Sequence, residues 1–380
     1  MIYLDHNATS PLRANALEAM LPWLRRGAAN PGSQHRSGQA ARAAMEEARE
    51  GLGASLGGWP RDWVFTSGAT ESCNIALHGL VQPGGPALLV GATEHPAVLE
   101  TARAMGKAGA VVEELSVLPD GTADLEGLEA ALARHPRAVV ALMLANNETG
   151  VLHPIGPAAT LVHAHGGLLL CDISQAAGKL PVDLHSLGAD VAVLSAPKFG
   201  GPQGCGALWK RKGLELRPSV FGGNQEQGLR PGTEAVAQVV GLAAALAEAV
   251  EGLDAQIRGW EDATVVLAAG LRRLYPPVRL YGQTAPRVAN TLCASLPGLD
   301  SDLLLIRLDQ LGLQASAGAA CAAGSREPSH VLAAMGEAPA SLKAALRFSL
   351  GPGQGEAEAR AALTMLEQAF HGFRTAGLIE

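Results

Sequence analysis

The sequence predicts an α/β fold: a mainly parallel central sheet flanked by helices, followed by a smaller α+β domain. Three observations carry this expectation. Apolar runs of four to eight residues, bounded by Gly, Pro or polar residues, alternate with longer helical patterns, as buried parallel strands alternate with their crossover helices. Near residue 233 the alternation gives way to an Ala/Leu-rich helical stretch. Beyond it the texture changes to a few strands and longer helices. With 380 residues, 48% hydrophobic and 17% charged, the chain is long enough for two cores.

Taken in order, strands are expected at 63–66, 87–90, 110–117, 138–145, 167–171, 190–194 and 205–209. Each is a short apolar run closed by turn-forming or polar residues. Helices are expected between several of them, at 70–80, 96–106, 124–134 and 155–165, followed by one helical stretch from Thr233 to about Leu274 that bridges two domains. Strands at 287–296 and 345–350 and helices at 302–311 and 356–373 complete the smaller unit. The domains are therefore placed at 13–254 and at 255–380 together with 1–12.

Composition excludes several functions. A net charge of −7 gives no support for nucleic-acid binding. No apolar run approaches the ~18 residues that span a membrane; the run 138–145 has eight. The opening Met1-Ile-Tyr-Leu-Asp-His lacks the pattern of a signal peptide. Five cysteines without a CxxC pair indicate neither a disulfide framework nor a zinc site. A cytoplasmic location is expected, with no metal and no membrane or nucleic-acid partner.

Ligands of open α/β sheets bind beyond the carboxyl ends of the strands, so the residues following each run are a functional test. They are Ser67-Gly-Ala69-Thr70-Glu71, Thr93-Glu94-His95, Asn146-Asn147-Glu148, Asp172-Ile-Ser-Gln175 and Ser195-Ala-Pro-Lys198. A strand running into a helix start at Ser67–Thr70 offers N–H groups to a phosphate; a helix cap is the plainer use of the same residues. Lys198, in a turn of small residues, suits a Schiff-base lysine, whose amine reacts when its charge is disfavoured. Asp172 suits the partner of a pyridinium nitrogen, although helix capping would explain it equally well alone. His95 before Pro96 can stack on a ring or move protons. Together these residues specify pyridoxal phosphate better than any one of them.

The strings Tyr3-Leu-Asp-His-Asn-Ala-Thr, Phe65-Thr-Ser-Gly-Ala-Thr-Glu71, Glu94-His-Pro-Ala-Val, Asn146-Asn-Glu-Thr-Gly, Asp172-x-x-Gln175-x-x-Gly-Lys and Arg230-Pro-Gly-Thr233 are joined by Gly318-Ala-Ala-Cys321, Pro328-Ser-His-Val and Leu346-Arg-Phe-Ser-Leu-Gly351. In this order, over nearly the whole chain, the sequence resembles the cysteine desulfurases of the iron–sulfur-cluster and nitrogen-fixation type, class V aminotransferase-like enzymes. The resemblance implies a pyridoxal-phosphate-dependent transferase of fold type I, acting on L-cysteine as a homodimer and passing sulfur to an acceptor or iron–sulfur scaffold protein. It implies that Lys198 binds the cofactor covalently, Asp172 holds the pyridine nitrogen, Gln175 meets the ring hydroxyl, His95 stacks on the ring and Asn147 lies beside cofactor and substrate. Ala69, Thr70 and Ser195 would grip the phosphate, joined by Thr233 of a second subunit. Arg347 would bind the substrate carboxylate, and Cys321 would take the sulfur as a persulfide.

The other cysteines, Cys73, Cys171, Cys205 and Cys293, read as packing. Three positions depart from the family pattern: Pro197 stands where His is usual, Ala319 where Ser is common and His6 where Asn is frequent. A selenocysteine lyase, a transaminase or another lyase of the class would share this pocket, and a silent dimeric scaffold for sulfur-carrier proteins would share the fold.

Overall fold

The computed structural model describes residues 1–25, 29–318 and 328–377. Strand β1 (Ile2–Tyr3) opens the chain. The central sheet is built from β2 (Trp63–Thr66), β3 (Leu88–Gly91), β4 (Val112–Leu115), β5 (Val139–Ala141), β6 (Leu168–Asp172), β7 (Val191–Ser195) and β8 (Gly206–Lys210), in the order β2-β8-β7-β6-β5-β3-β4. Neighbours from β7 to β4 are parallel, whereas β8 is antiparallel to both β7 and β2. Two reversals restore direction, so β2 points the same way as β7. The ends of β2, β3, β5, β6 and β7 therefore share one edge.

Alternation sorts the side chains. In β7, Ala192 and Leu194 join one apolar core and Val191 and Val193 the other, on opposite faces of the sheet. Gly206 begins β8 between Ser195 and Thr66. A Cβ there would stand 2.6 Å from both Gly68 Cα and Leu194 O. Glycine thus lets the turn after β2 lie against the end of β7.

A third core gathers Leu4, Leu267, Leu292, Leu346, Phe348 and Phe370. It covers a sheet of β9 (Arg279–Leu280), β10 (Thr291–Ser295), β12 (Ser316–Ala317) and β13 (Ala345–Ser349), while β11 (Leu313–Gln314) pairs in parallel with β1. The first residues of the chain thus belong to this second body and reach back to the first, where Ser10 N donates to Pro197 O (2.8 Å).

Three expectations are corrected. The stretch 233–274 is two helices, Val236–Val250 and Leu253–Leu274, bent by 69°. Gly252 separates them in the left-handed region (φ +73°), which ends one helix and reorients the next. The run 138–145 is a strand only over β5: beyond Ala141 the chain still bonds β6 through Leu142 N→Leu170 O and Leu144 N→Asp172 O, but the Glu94 carboxyl takes Met143 N in place of a strand. The run 287–296 begins as a connection, with Val288 N bonded to Gly150 O, and is a strand only from Thr291. No single described helix is long and apolar enough to cross a membrane.

The margins of the central sheet are closed by charge. On the open side of β2, Trp63 O accepts from Arg49 Nη1 (2.8 Å) and Phe65 N donates to Glu226 Oε2 (2.7 Å). Arg49 and Glu226 pair through two bonds of 2.9 and 2.6 Å. That buried fork holds Glu226 (φ +48°) and Gln227 (φ +61°) in left-handed backbone. At the other margin, Glu113 of β4 faces Arg134 and His135.

Candidate active site

At the shared carboxyl edge lies a cavity of about 240 Å³ lined by Ala69, Thr70, His95, Asn147, Asp172, Gln175, Ser195 and Lys198. These are residues singled out from the ends of five apolar runs, and strand polarity brings them together. Ser67, Glu71, Met143, Ala145 and Ser174 complete the described wall with Gly68. Glu71 and Ser67 belong to the turn already read as a ligand site. Ser174 is framed by Asp172 and Gln175.

Each side of the cavity has distinct chemistry. Ala69 and Thr70 open the helix Ala69–Leu80, whose start carries no side-chain cap, leaving N–H groups for an anion. Ser195 ends β7 beside this turn, and Lys198 stands on the short 3₁₀ turn Ala196–Phe199 that follows. The half-buried Lys198 donates from Nζ to Ala8 O (2.6 Å). His95 caps the helix Pro96–Lys107, with Nδ1 accepting from Ala97 N (3.0 Å). The neutral ring therefore carries its proton on Nε2. Burial lowers the His95 pKa, against the pull of Asp172 and with the help of Lys198 and His330.

Asp172, at the end of β6, is buried and accepts Ser174 N at Oδ1 (2.8 Å). The buried Glu94 carboxyl accepts from the backbone N–H of Met143 of the wall, and burial pushes its pKa up to about 8. Gln175 donates from Nε2 to Asn7 O (2.9 Å) and accepts from Lys179. Two buried atoms of the wall, Asn147 Oδ1 and Ser174 Oγ, have no partner among the described residues. Orphaned polar atoms in such a wall are what a polar ligand satisfies.

The remaining candidates sit elsewhere. Arg347 is not in the cavity wall: it is 1% exposed in β13, donating to Asn147 O from Nη1 (3.0 Å) and to Asp5 Oδ1 from Nη2 (2.7 Å). Its Nε has no partner among the described residues. Thr233 is exposed and far enough from the cavity to form no part of its described wall. Cys321 and Ala319 lie outside the described residues. Cys73, Cys171, Cys205 and Cys293 are buried free thiols, and burial pushes each pKa up. His6 is buried with its pKa lowered to about 4, chiefly by burial. Its ring fills the space a Gly351 Cβ would need, 1.9 Å away, and is edge-on to Tyr3 at 4.9 Å.

The family "Aminotransferase class-V" matches residues 2–361, and the chain belongs to it. Over 97% of its length the chain is 41% identical to a cysteine desulfurase of Frankia sp. (strain EuIK1), covering 91% of that protein. A solved NifS-like protein superposes with a TM-score of 0.90 at 33% identity, covering 98% of this chain and 99% of that one. SspA, solved in complex with cysteine, gives 0.82 at 30% identity over 93% of this chain and all of that one. Within the class-V family, the chain is a member of the cysteine desulfurases.

Proposed function

We propose that the protein converts L-cysteine to L-alanine with pyridoxal phosphate and carries the released sulfur on Cys321. The cavity supports this reading, because its donors and acceptors match the cofactor group by group: Thr70, Ser195 and the Ala69 helix start for a phosphate, Asp172 for a ring nitrogen, Gln175 for a ring oxygen, His95 for the ring face and Lys198 for the aldehyde. The orphaned Asn147 Oδ1 and Ser174 Oγ carry the argument that a polar group belongs there.

Pyridoxal phosphate, when bound, supplies an aldehyde that condenses with amines and a ring that withdraws electrons from the substrate's carbons. Lys198 would hold it, and the Lys198 amine would serve as the base for the Cα proton. Asn147 and Arg347 orient the substrate, the guanidinium through its carboxylate. The Cys321 thiolate attacks the substrate sulfur. The S–S bond forms as Cβ–S breaks, the electron pair goes to the carbon side, and Cβ takes a proton to become the methyl group of alanine. L-cysteine and an enzyme thiol thus give L-alanine and an enzyme persulfide.

With Cys321→Ala, sulfur transfer and alanine formation from L-cysteine are expected to fall together by more than ~10²-fold. Alanine formation at the full rate would instead favour a selenocysteine-lyase-like enzyme. The persulfide would pass to an acceptor or iron–sulfur scaffold protein.

The chain is read as a homodimer because Thr233, the remaining phosphate ligand of the family pattern, stands exposed outside its own cavity, and Val220 and Phe221 are large apolar residues that are also exposed (51% and 85%). A second copy would bury these residues and lend Thr233. Phe221→Asp is expected to shift sedimentation to the monomer and to weaken cofactor binding as Thr233→Ala does. A monomeric variant with undiminished affinity would refute the shared site.

Pro197 offers neither a side-chain donor nor a backbone N–H, and its carbonyl is engaged by Ser10 N. Pro197→His is expected to tighten pyridoxal phosphate binding ~10–100-fold, the value of one charge-assisted hydrogen bond. Equilibrium dialysis showing no change would count against a phosphate contact at this position.

A further inference from the structure

We propose that Lys179 is a positioning residue that fixes the side-chain amide of Gln175 with its NH₂ end toward Asn7 and the cavity, making Gln175 a hydrogen-bond donor to the bound cofactor. This rests on the cavity's being the pyridoxal phosphate site. An amide can present either end to a ligand, and only its partners decide which. Here both ends are settled. The Lys179 Nζ donates to Gln175 Oε1, and the Asn7 carbonyl, which can only accept, takes one hydrogen from Gln175 Nε2 (2.9 Å). The second hydrogen of Nε2 remains for an acceptor in the cavity that Gln175 lines.

The same amine settles a second amide. Lys179 Nζ donates to Asn7 Oδ1 (2.7 Å), which also accepts from Asn290 Nδ2 (3.2 Å). Asn7 Nδ2 is thereby turned to Thr291 Oγ1 (2.9 Å) and to Asn147 O (3.2 Å), the carbonyl that also accepts from Arg347 Nη1. One side chain therefore links the ring-oxygen end of the cavity to the arginine of the second body. The chain is shaped to bring it there. Gly178 turns with φ +70°, and a Cβ on it would stand 2.7 Å from Ala249 Cβ, so the turn after Gln175 closes tightly enough to return Lys179 beneath it. Lys179 is only 4% exposed. Burial, with Lys198 and Arg347 nearby, holds its ammonium well below the usual lysine range. Burial, with the Lys179 charge beside it, likewise lowers the pKa of the neighbouring His6 ring to about 4.

The test is a double-mutant cycle on the cofactor-loaded protein, read by the pH midpoint of its visible absorption band. A donor to the ring oxygen alters how readily the adjoining nitrogen keeps its proton. Lys179→Met and Gln175→Leu are each expected to move the midpoint by about one pH unit in the same direction, and the double variant no further than either alone. Lys179→Gln, which keeps a donor, is expected to recover part of the shift, and Lys179→Leu takes the place of Lys179→Met in the cycle if that variant does not fold. An unmoved midpoint in the Lys179→Met or Lys179→Leu variant, or shifts that add, would overturn the proposal. Borohydride reduction of the parent protein separately tests the underlying reading: no pyridoxyl label on Lys198 would remove the site itself, whatever the cycle shows.

Discussion

Lys198→Ala is expected to abolish the absorption band of the lysine-linked cofactor and to lower alanine formation from L-cysteine at least ~10⁴-fold. Two roles are lost together, the covalent hold on the cofactor and the base beside Cα. The side chain stands on a turn that follows Ser195, one of the residues proposed to bind phosphate, and its amine donates to Ala8 O. No other lysine lines the cavity, so no described wall residue can replace it. The phosphate and ring contacts remain, and equilibrium dialysis is expected to show weakened but measurable cofactor binding. A yellow, active Lys198→Ala protein would refute the assignment.

Arg347 carries the second large effect. Arg347→Lys keeps a cation but loses the guanidinium fork, and KM for L-cysteine is expected to rise ~10–100-fold, the loss of one charged hydrogen bond, with kcat changed less. Arg347→Ala adds a structural cost. It leaves Asp5 without its partner at 2.7 Å and Asn147 O without one of its donors, and unpairing a largely buried ion pair costs about 3–5 kcal/mol. The discriminating observation is the split: a KM effect in the lysine variant with little change in Tm. Equal effects of both variants on Tm with unchanged KM would make Arg347 a purely structural link between the two bodies.

The central sheet was legible because its strands are buried on both faces, which turns each into an apolar run with a polar stop. Strand polarity did the rest for Ala69, Thr70, His95, Asn147, Asp172, Gln175, Ser195 and Lys198, which needed only a common edge. Other features carried no local signal. β1, β9, β11 and β12 have two residues each, too few for a period to show. The helix Arg36–Leu56 presents a small-residue stripe through Ala41, Ala44 and Ala48, with glycines in its interior, and its pattern is correspondingly weak. Asn7 and Lys179 stand in two of the motif strings, but their roles depend on partners distant in sequence, for Asn7 as remote as Thr291, 284 residues away. Glu148 is similar: buried, pushed up to about 7 mainly by burial, and hydrogen-bonded with Ser329 (2.5 Å). A buried polar residue reads like any surface polar residue until the fold encloses it.

The side-chain fork of Arg49 and Glu226 has a consequence for the behaviour of the protein at high concentration. By occupying the outward Trp63 carbonyl and Phe65 amide, it stands in for an eighth strand and leaves that rim no free ladder onto which another chain could zip. At the far rim Glu113 is tied to Arg134 and His135, which covers that margin with paired side chains. Fibrous or amorphous self-association is therefore discouraged at both ends by a handful of ionised groups, and the protection at the first rim depends on a single carboxylate held in an unfavourable backbone conformation.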